Sequence, residues 1–232
     1  MALIKLGAMV SELSGSIGGS TFARNRTGAY VRNRSIPVQP NTTRQQQVKS
    51  IMQQVVHHWQ ELLSDSERDQ WKTYAAQISW NNVFGDEAKL TGYNHFVRTN
   101  TARLLCGLEI VEAGPAVFTL PEADSTLSVA ASAATQELTV TFDDTAAWCD
   151  EDGAALAIYT GQPISPTRNF YAGPWRFADS IDGDSVTAPS SGATVACPFT
   201  FQADQKLVIR ARLLMADGRM SRPFRTELAA GA

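Results

Sequence analysis

Arg24, Arg26, Arg32, Arg34 and Arg44 fall within twenty-one residues and are interleaved with Phe22 and Tyr30. Two chemistries use this combination. A guanidinium pairs bidentately with carboxylates, and arginine and aromatic residues are enriched in protein interfaces, so the set suits docking on an acidic protein surface. The same groups neutralise phosphate and stack on bases, which is nucleic-acid chemistry. The segment is short, has no lysine and belongs to a chain with an acidic second half. A protein partner is therefore the leading reading and nucleic acid the second. Phe22, Arg24, Arg26, Tyr30, Arg32 and Arg34 are the candidate partner-binding residues.

Other chemistry-bearing residues form no reactive constellation. Gly15 to Thr21 has the glycines of a phosphate-binding loop but no lysine, and it leads into a strand-like segment rather than a helix. His57 and His58 are neighbours, which on a helix point about 100° apart and cannot share a metal; one is expected at the surface and the other in helix packing. His95 has no serine, cysteine or carboxylate partner nearby in sequence that would mark a triad. Asp143-Asp144 and Asp150-Glu151-Asp152 flank Trp148 and offer oxygen ligands for calcium, without the one-three-five spacing of an EF-hand. They read as a solvated acidic loop. Cys106, Cys149 and Cys197 form no CxxC pair and no even framework, so free thiols are expected, with a Cys149–Cys197 bridge as the alternative. No enzyme activity, cofactor or metal follows from this inventory.

The arginines sit in an unusual opening. Ser14-Gly15-Ser16-Ile17-Gly18-Gly19-Ser20 has almost no side chain to bury, and glycine costs the most backbone entropy to order, so it should be mobile on its own. Thr21 to Arg26 and Ala29 to Arg34 alternate with period two on either side of an Arg26-Thr27-Gly28 turn, which predicts a β-hairpin. Such a hairpin is marginal in water and needs a surface to lie on. Pro37 and Pro40 hold the following crossing extended. Residues 1–40 thus read as an extended N-terminal arm.

Residues 41–110 change to a helical period. Asn41 or Thr42 can cap a first helix whose apolar positions, Val48, Ile51, Met52, Val55, Val56, Trp59, Leu62 and Leu63, predict one continuous buried stripe. Ser64-Asp65-Ser66-Glu67 is a capping box opening a second helix with Trp71, Tyr74, Ala75 and Ile78 inward. The tight joint predicts an antiparallel helical hairpin. A loop from Trp80 to Asp86 precedes a third helix capped by Thr91, expected to bury Tyr93, Phe96, Val97, Leu104 and Leu105. Together these predict a small three-helix platform.

From residue 111 to 232 the period is two. Residues 126–130, 137–142, 155–159, 194–201 and 206–215 alternate as half-buried strands, and Asp182-Gly183 and Asp217-Gly218 are tight-turn signals. About seven strands with no helix between them predict an immunoglobulin or fibronectin III-like β-sandwich with Trp148 or Trp175 as its central aromatic. Trp148 and Cys149, being adjacent, would face opposite sides of a strand. The fold class is α+β and multidomain.

Net charge sharpens the division. The chain of 232 residues has a formal charge of −3, yet there are twelve basic and eight acidic side chains through residue 110 and eight and fifteen thereafter. No run of about 18 apolar residues spans a membrane, and Met1 to Gly19 lacks the signature of a signal peptide, so synthesis in the cytoplasm is expected. A charged fraction of 19% is low for a soluble chain and suggests that much of the surface is interface.

From Ser14 through Arg34, followed by Pro37, Pro40-Asn41-Thr42 and Gln45, the sequence resembles the opening of a group of virion-associated structural proteins of tailed bacteriophages and prophages. Those similarly place a Gly-rich arm, an arginine hairpin and a proline-rich crossing before a helix. Trp59 and Trp71 around Leu62-Leu63-Ser64-Asp65, with Arg68, are similar to the group's next block. The resemblance covers about residues 12–105 and brings no catalytic residues. It implies a non-enzymatic virion component, made in the host cytoplasm, that docks on major capsid or tail subunits. Capsid decoration or cementing is the first location and tail or head–tail attachment the second. Particle symmetry makes a homo-oligomer the expectation. The alternatives are a virion protein that binds packaged nucleic acid and a carbohydrate-binding adhesin using exposed Trp175 and Tyr171.

Overall fold

Alternation in the arginine-rich segment does produce strands, and they recruit the glycine-rich stretch beside them. The computed structural model describes residues 2–4, 6, 7, 9–25, 28–36, 38–81 and 87–231. The expectations for Arg26, Thr27, Pro37 and residues 82–86 lie outside them. The chain divides into two units, Met1–Thr43 and Arg44–Ala232.

The first unit is a four-stranded antiparallel sheet in the order β1-β4-β3-β2, made of β1 (Ala2–Leu3), β2 (Gly15–Ile17), β3 (Ser20–Asn25) and β4 (Gly28–Asn33). The expected hairpin is β3 and β4. The glycine-rich stretch is not a loose tether: Gly15–Ile17 pairs with Ser20–Phe22 through a turn in which Gly18 takes a φ of +56°. Sheet bonding satisfies backbone groups that its small side chains cannot serve. Among the residues of this unit whose side chains are described, none is fully buried, and residues 21–23 and 28–31 are half-buried.

The second unit joins the helices to the remaining strands. Helix α1 (Thr43–His57) runs into a π-helical turn, His58–Leu62, closed by Leu63 N–H donating to His58 O at 3.0 Å. The expected continuous stripe is broken. Ile51, Val55 and Leu63 are buried and Val56 and Trp59 half-buried, but Val48, Met52 and Leu62 are exposed. A bond from i to i+5 widens the turn, so spacing by three and four no longer keeps one face beyond His58, where Leu62 turns outward; Val48 and Met52 lie before that turn, at positions that the described residues leave partly uncovered. Helix α2 (Asp65–Gln77) starts at the expected capping box: Ser64 Oγ accepts from Glu67 N, and Ser64 N donates to Glu67 Oε2 at 2.8 Å. Trp71, Tyr74, Ala75 and Ile78 are all buried. Trp80 and Asn81 belong to β5 (Ser79–Asn81), paired with β6 (Glu87–Lys89), where a loop was expected.

Helix α3 (Gly92–Leu105) has Thr91 as its cap, accepting from Asn94 N. It packs closely on α2, because a Cβ at Gly92 would lie 2.7 Å from Lys72 N. Its buried face departs from expectation: Tyr93 is exposed, Val97, Leu104 and Leu105 are half-buried, and His95, Thr99, Asn100 and Arg103 are buried beside Phe96. The cause lies in what α3 faces. Asn100 exchanges two hydrogen bonds with the backbone of Val111, at 3.1 and 2.8 Å. Arg103 donates to Glu109 O at 2.8 Å and to both Gly153 O and Met215 O at 2.9 Å. Trp71 Nε1 adds a bond to Glu112 O at 2.8 Å. The border expected at 110/111 therefore falls inside one unit, bolted by polar groups.

The strands β7 (Ser128–Ser132), β8 (Glu137–Thr141), β9 (Ala155–Gly161), β10 (Trp175–Asp182), β11 (Ala193–Ala196), β12 (Lys206–Leu214) and β13 (Phe224–Ala229) form two antiparallel sheets, ordered β11-β8-β7 and β10-β9-β12-β13. Leu138, Val140 and Val195 from one sheet share a core with Leu156, Ile158, Leu207, Ile209 and Leu213 from the other. Asp217-Gly218 turns the chain between β12 and β13 as expected, with Gly218 N donating to Met215 O. Asp182-Gly183 is no hairpin turn: Gly183 is wedged where a Cβ would meet Trp148 O at 2.2 Å. The expected strand 194–201 stops at Ala196, with Phe201 buried from a loop. Trp148 is a core aromatic, 5.5 Å from Phe142, but it sits with Cys149 in a 3-10 turn, Ala147–Asp150, where both side chains are buried. A helical turn does not send neighbours to opposite sides as a strand would.

Candidate functional site

Register decides what the arginine sheet presents. Phe22 stands opposite Val31, Arg24 opposite Ala29, Ala23 opposite Tyr30 and Thr21 opposite Arg32. Directly paired residues share a face. Phe22 and Arg24 therefore lie on one face, and Tyr30 and Arg32 on the other. The sequence implied one docking set, and the difference comes from the turn. Asn25 pairs with Gly28, so two residues intervene, not three. A one-residue change of register sends a whole strand's side chains to the other face.

Arg24, Arg32 and Arg34 are exposed, and Phe22 and Tyr30 are half-buried. Arg24 Nη1 lies 3.9 Å from Glu12 Oε1, both side chains about two-thirds exposed, a pairing of little energetic weight. Among the described residues, Arg32 and Arg34 have no ion-pair partner. Beside Arg24 a groove of about 210 Å³ is lined by Ile4, Leu6, Leu13 and Ala29. Arg26 lies outside the described residues. Arg44 belongs to the second unit, where it donates to Phe177 O at 2.7 Å.

The remaining candidates resolve as structural. His57 is exposed, and His58 Nε2 lies 2.8 Å from Glu112 Oε1. His95 packs edge-on to Tyr74 at 5.2 Å, and burial, then the nearby Arg98 charge, pushes it down to about 4. Burial, chiefly, raises the Cys106 thiol to about 12 and the Cys149 thiol to about 11, the reverse of what a nucleophile needs. All three cysteines are free, so the alternative Cys149–Cys197 bridge is not formed. Asp143 accepts from Thr145 N and Oγ1, Asp144 from Ser191 N, and Asp152 from Ser185 N and Oγ, so these carboxylates stitch loops. Among the described residues no group of three or more His, Cys, Asp or Glu side chains is placed to hold a metal ion, and no helix is long and apolar enough to cross a membrane.

Tyr171, taken as an exposed sugar platform, is buried. Its hydroxyl accepts from Gln162 N and donates to Pro174 O, and its ring fills the space over Gly161, where a Cβ would be 2.5 Å away. Trp175 is half-buried, edge-on to Tyr171 at 5.1 Å, with the guanidinium of Arg210 4.9 Å from its ring centre. Sequence reasoning missed Arg98, Arg210 and Arg212. The signal was two arginines two positions apart within an apolar strand, Lys206–Leu214.

No protein-family model matches the chain, and no curated protein matches it. Among solved structures, a family 76 glycoside hydrolase from a bovine Bacteroides thetaiotaomicron strain is similar at 15% identity, with a TM-score of 0.34; the match covers 48% of this chain and 21% of that one. That degree of likeness carries no argument about fold or activity.

Proposed function

We propose that this chain is a non-enzymatic structural component of a bacteriophage virion, docking on neighbouring subunits through its N-terminal sheet and helices, with capsid decoration as its first location and tail or head–tail attachment as its second. One observation carries the reading: a four-stranded sheet in which none of the described side chains is fully buried, with arginines exposed on both faces. A sheet whose described side chains are at most half-buried recovers little of the entropy spent in ordering it, and a covering partner supplies the missing burial. Arginines on both faces favour insertion between two acidic surfaces rather than attachment to one. Exposed Val48, Met52 and Leu62 on the helical platform add apolar contact area for docking. We read the β half as an immunoglobulin/fibronectin III-like sandwich, supported by seven strands in sheets of three and four around a shared core, and presented outward from the particle.

The test is incorporation into particles. Full-length chains carrying Arg24→Glu or Arg32→Glu each alter one face of the sheet, and both variants are expected to be depleted from purified particles. Wild-type incorporation of the double variant would refute arm docking.

A further inference from the structure

The face of sheet β10-β9-β12-β13 turned away from the sandwich core concentrates positive charge that the described residues do not answer. On β12, Arg210 and Arg212 point away from the core that Ile209, Ala211 and Leu213 enter. Arg210 stands directly opposite Arg225 on β13, and like charges in that relation destabilise a sheet. Arg225 is compensated, since it reaches Glu227 Oε1 at 2.6 Å and donates to Tyr171 O at 3.0 Å. Arg210 and Arg212 are not. Arg210 lies between two rings, 5.3 Å from the centre of Tyr159 and 4.9 Å from that of Trp175, and Arg212 Nη1 reaches only Met220 Sδ at 3.5 Å.

A third cation joins them from α3. Arg98 lies 3.7 Å over the Trp80 ring. Ala102, one turn on from Arg98 in α3, packs with Leu214, which shares a face of β12 with Arg212, and burial first, then the Arg212 and Arg210 charges, pulls the Arg98 guanidinium down to about 10. Among the described residues none of the three has a carboxylate within ion-pair distance. Orphaned donors accompany them: Arg210 Nε, Arg212 Nε and Trp80 Nε1 are buried without a hydrogen-bond partner. Unpaired N–H groups and half-buried cations with no counter-charge are each costly.

We propose that Arg98, Arg210 and Arg212 form a binding site for a phosphate group, free or carried on a larger molecule. Three guanidiniums exceed what one monovalent carboxylate neutralises, whereas a tetrahedral dianion with several acceptor oxygens suits several guanidinium forks. Arg210, held beside the Tyr159 and Trp175 rings, has less side-chain freedom to lose on binding.

Thermal unfolding and calorimetric titration of the full chain with inorganic phosphate test the site, with sodium chloride and sodium acetate at matched ionic strength as comparisons. The expected result is saturable binding and a rise in Tm of about 3 °C or more at tenfold excess over Kd. Arg212→Gln and Arg98→Gln should each weaken binding about tenfold or more, and Arg212→Gln should melt no lower than wild type without phosphate because a like charge has gone. A parallel titration with glycerol phosphate distinguishes the sources: tighter binding of the ester assigns a phosphate carried on a larger molecule, and tighter binding of the inorganic ion assigns free phosphate. The proposal is overturned if the wild type shows no saturable binding, if acetate or chloride produces the same shift, or if both variants bind as wild type does.

Discussion

Replacing Arg103 with Met should separate the mechanical roles of the helical and β parts of the second unit. Arg103 is 4% exposed, and its guanidinium serves three carbonyls at once, Glu109 O just beyond α3 and Gly153 O and Met215 O in the β half. Methionine preserves most of the apolar stem and removes every donor. Each stranded carbonyl costs about 1–3 kcal/mol, and relief from burying a cation returns part of that, so the net loss should be about 3 kcal/mol. For a fold worth about 5–15 kcal/mol, that is a large share. Urea unfolding at pH 7, followed by tryptophan fluorescence and far-UV circular dichroism, measures it. Trp59, Trp71 and Trp80 report on the helices and Trp148 on the sandwich core, so the variant's two transitions should also cease to coincide. Arg103→Lys should recover less than half of the loss, because an ammonium on a shorter reach cannot serve three acceptors. A loss under about 1 kcal/mol with coincident transitions would refute the bolt.

Three further outcomes follow from local geometry. His95 is held at about 4 when folded against 6.5 in the free state, so between those values the unfolded chain takes up a proton that the folded chain refuses. Stability should fall by about 3 kcal/mol as pH drops through that window; His95→Phe should flatten that part of the profile, and an unchanged profile would count against the assignment. Gly183→Ala places a methyl group 2.2 Å from Trp148 O and 2.7 Å from Glu151 O, both backbone, and should cost more than about 2 kcal/mol; a Tm equal to wild type would show that the wedge can open. Ser64→Ala removes the acceptor for Glu67 N and should cost about 1 kcal/mol, with Glu67→Ala adding little on top, because the two act as one motif; full additivity in urea titrations would contradict that.

Local rules made several elements legible. The capping box at Ser64, the Thr91 cap and the Asp217-Gly218 turn are each decided within a few residues, where side-chain oxygen or turn chemistry selects the backbone. The inward faces of α2 and β8 also followed their periods, because each packs one side against a single apolar layer. The stripe from α1 onward did not, since the π turn after His57 changes the period and turns Leu62 outward, while Val48 and Met52 of α1 are exposed. α3 did not either, because it is covered on more than one side and its second neighbour is backbone carbonyl rather than hydrocarbon. Nothing in its own spacing distinguishes a polar side chain that meets water from one that meets Gly153 and Met215.

The candidate site shows the same boundary. Composition and alternation by themselves determined that the first segment is a basic, aromatic, strand-forming stretch preceded by a glycine-rich run with almost no side chain to bury, and that the second half is an acidic run of half-buried strands. The tertiary structure alone decided which side each arginine takes, because the pairing of Asn25 with Gly28 sets the register and hence the faces. It alone gathered Arg98 with Arg210 and Arg212. A side chain's direction is fixed by its own backbone, but its electrostatic company is fixed by which elements the fold lays beside it.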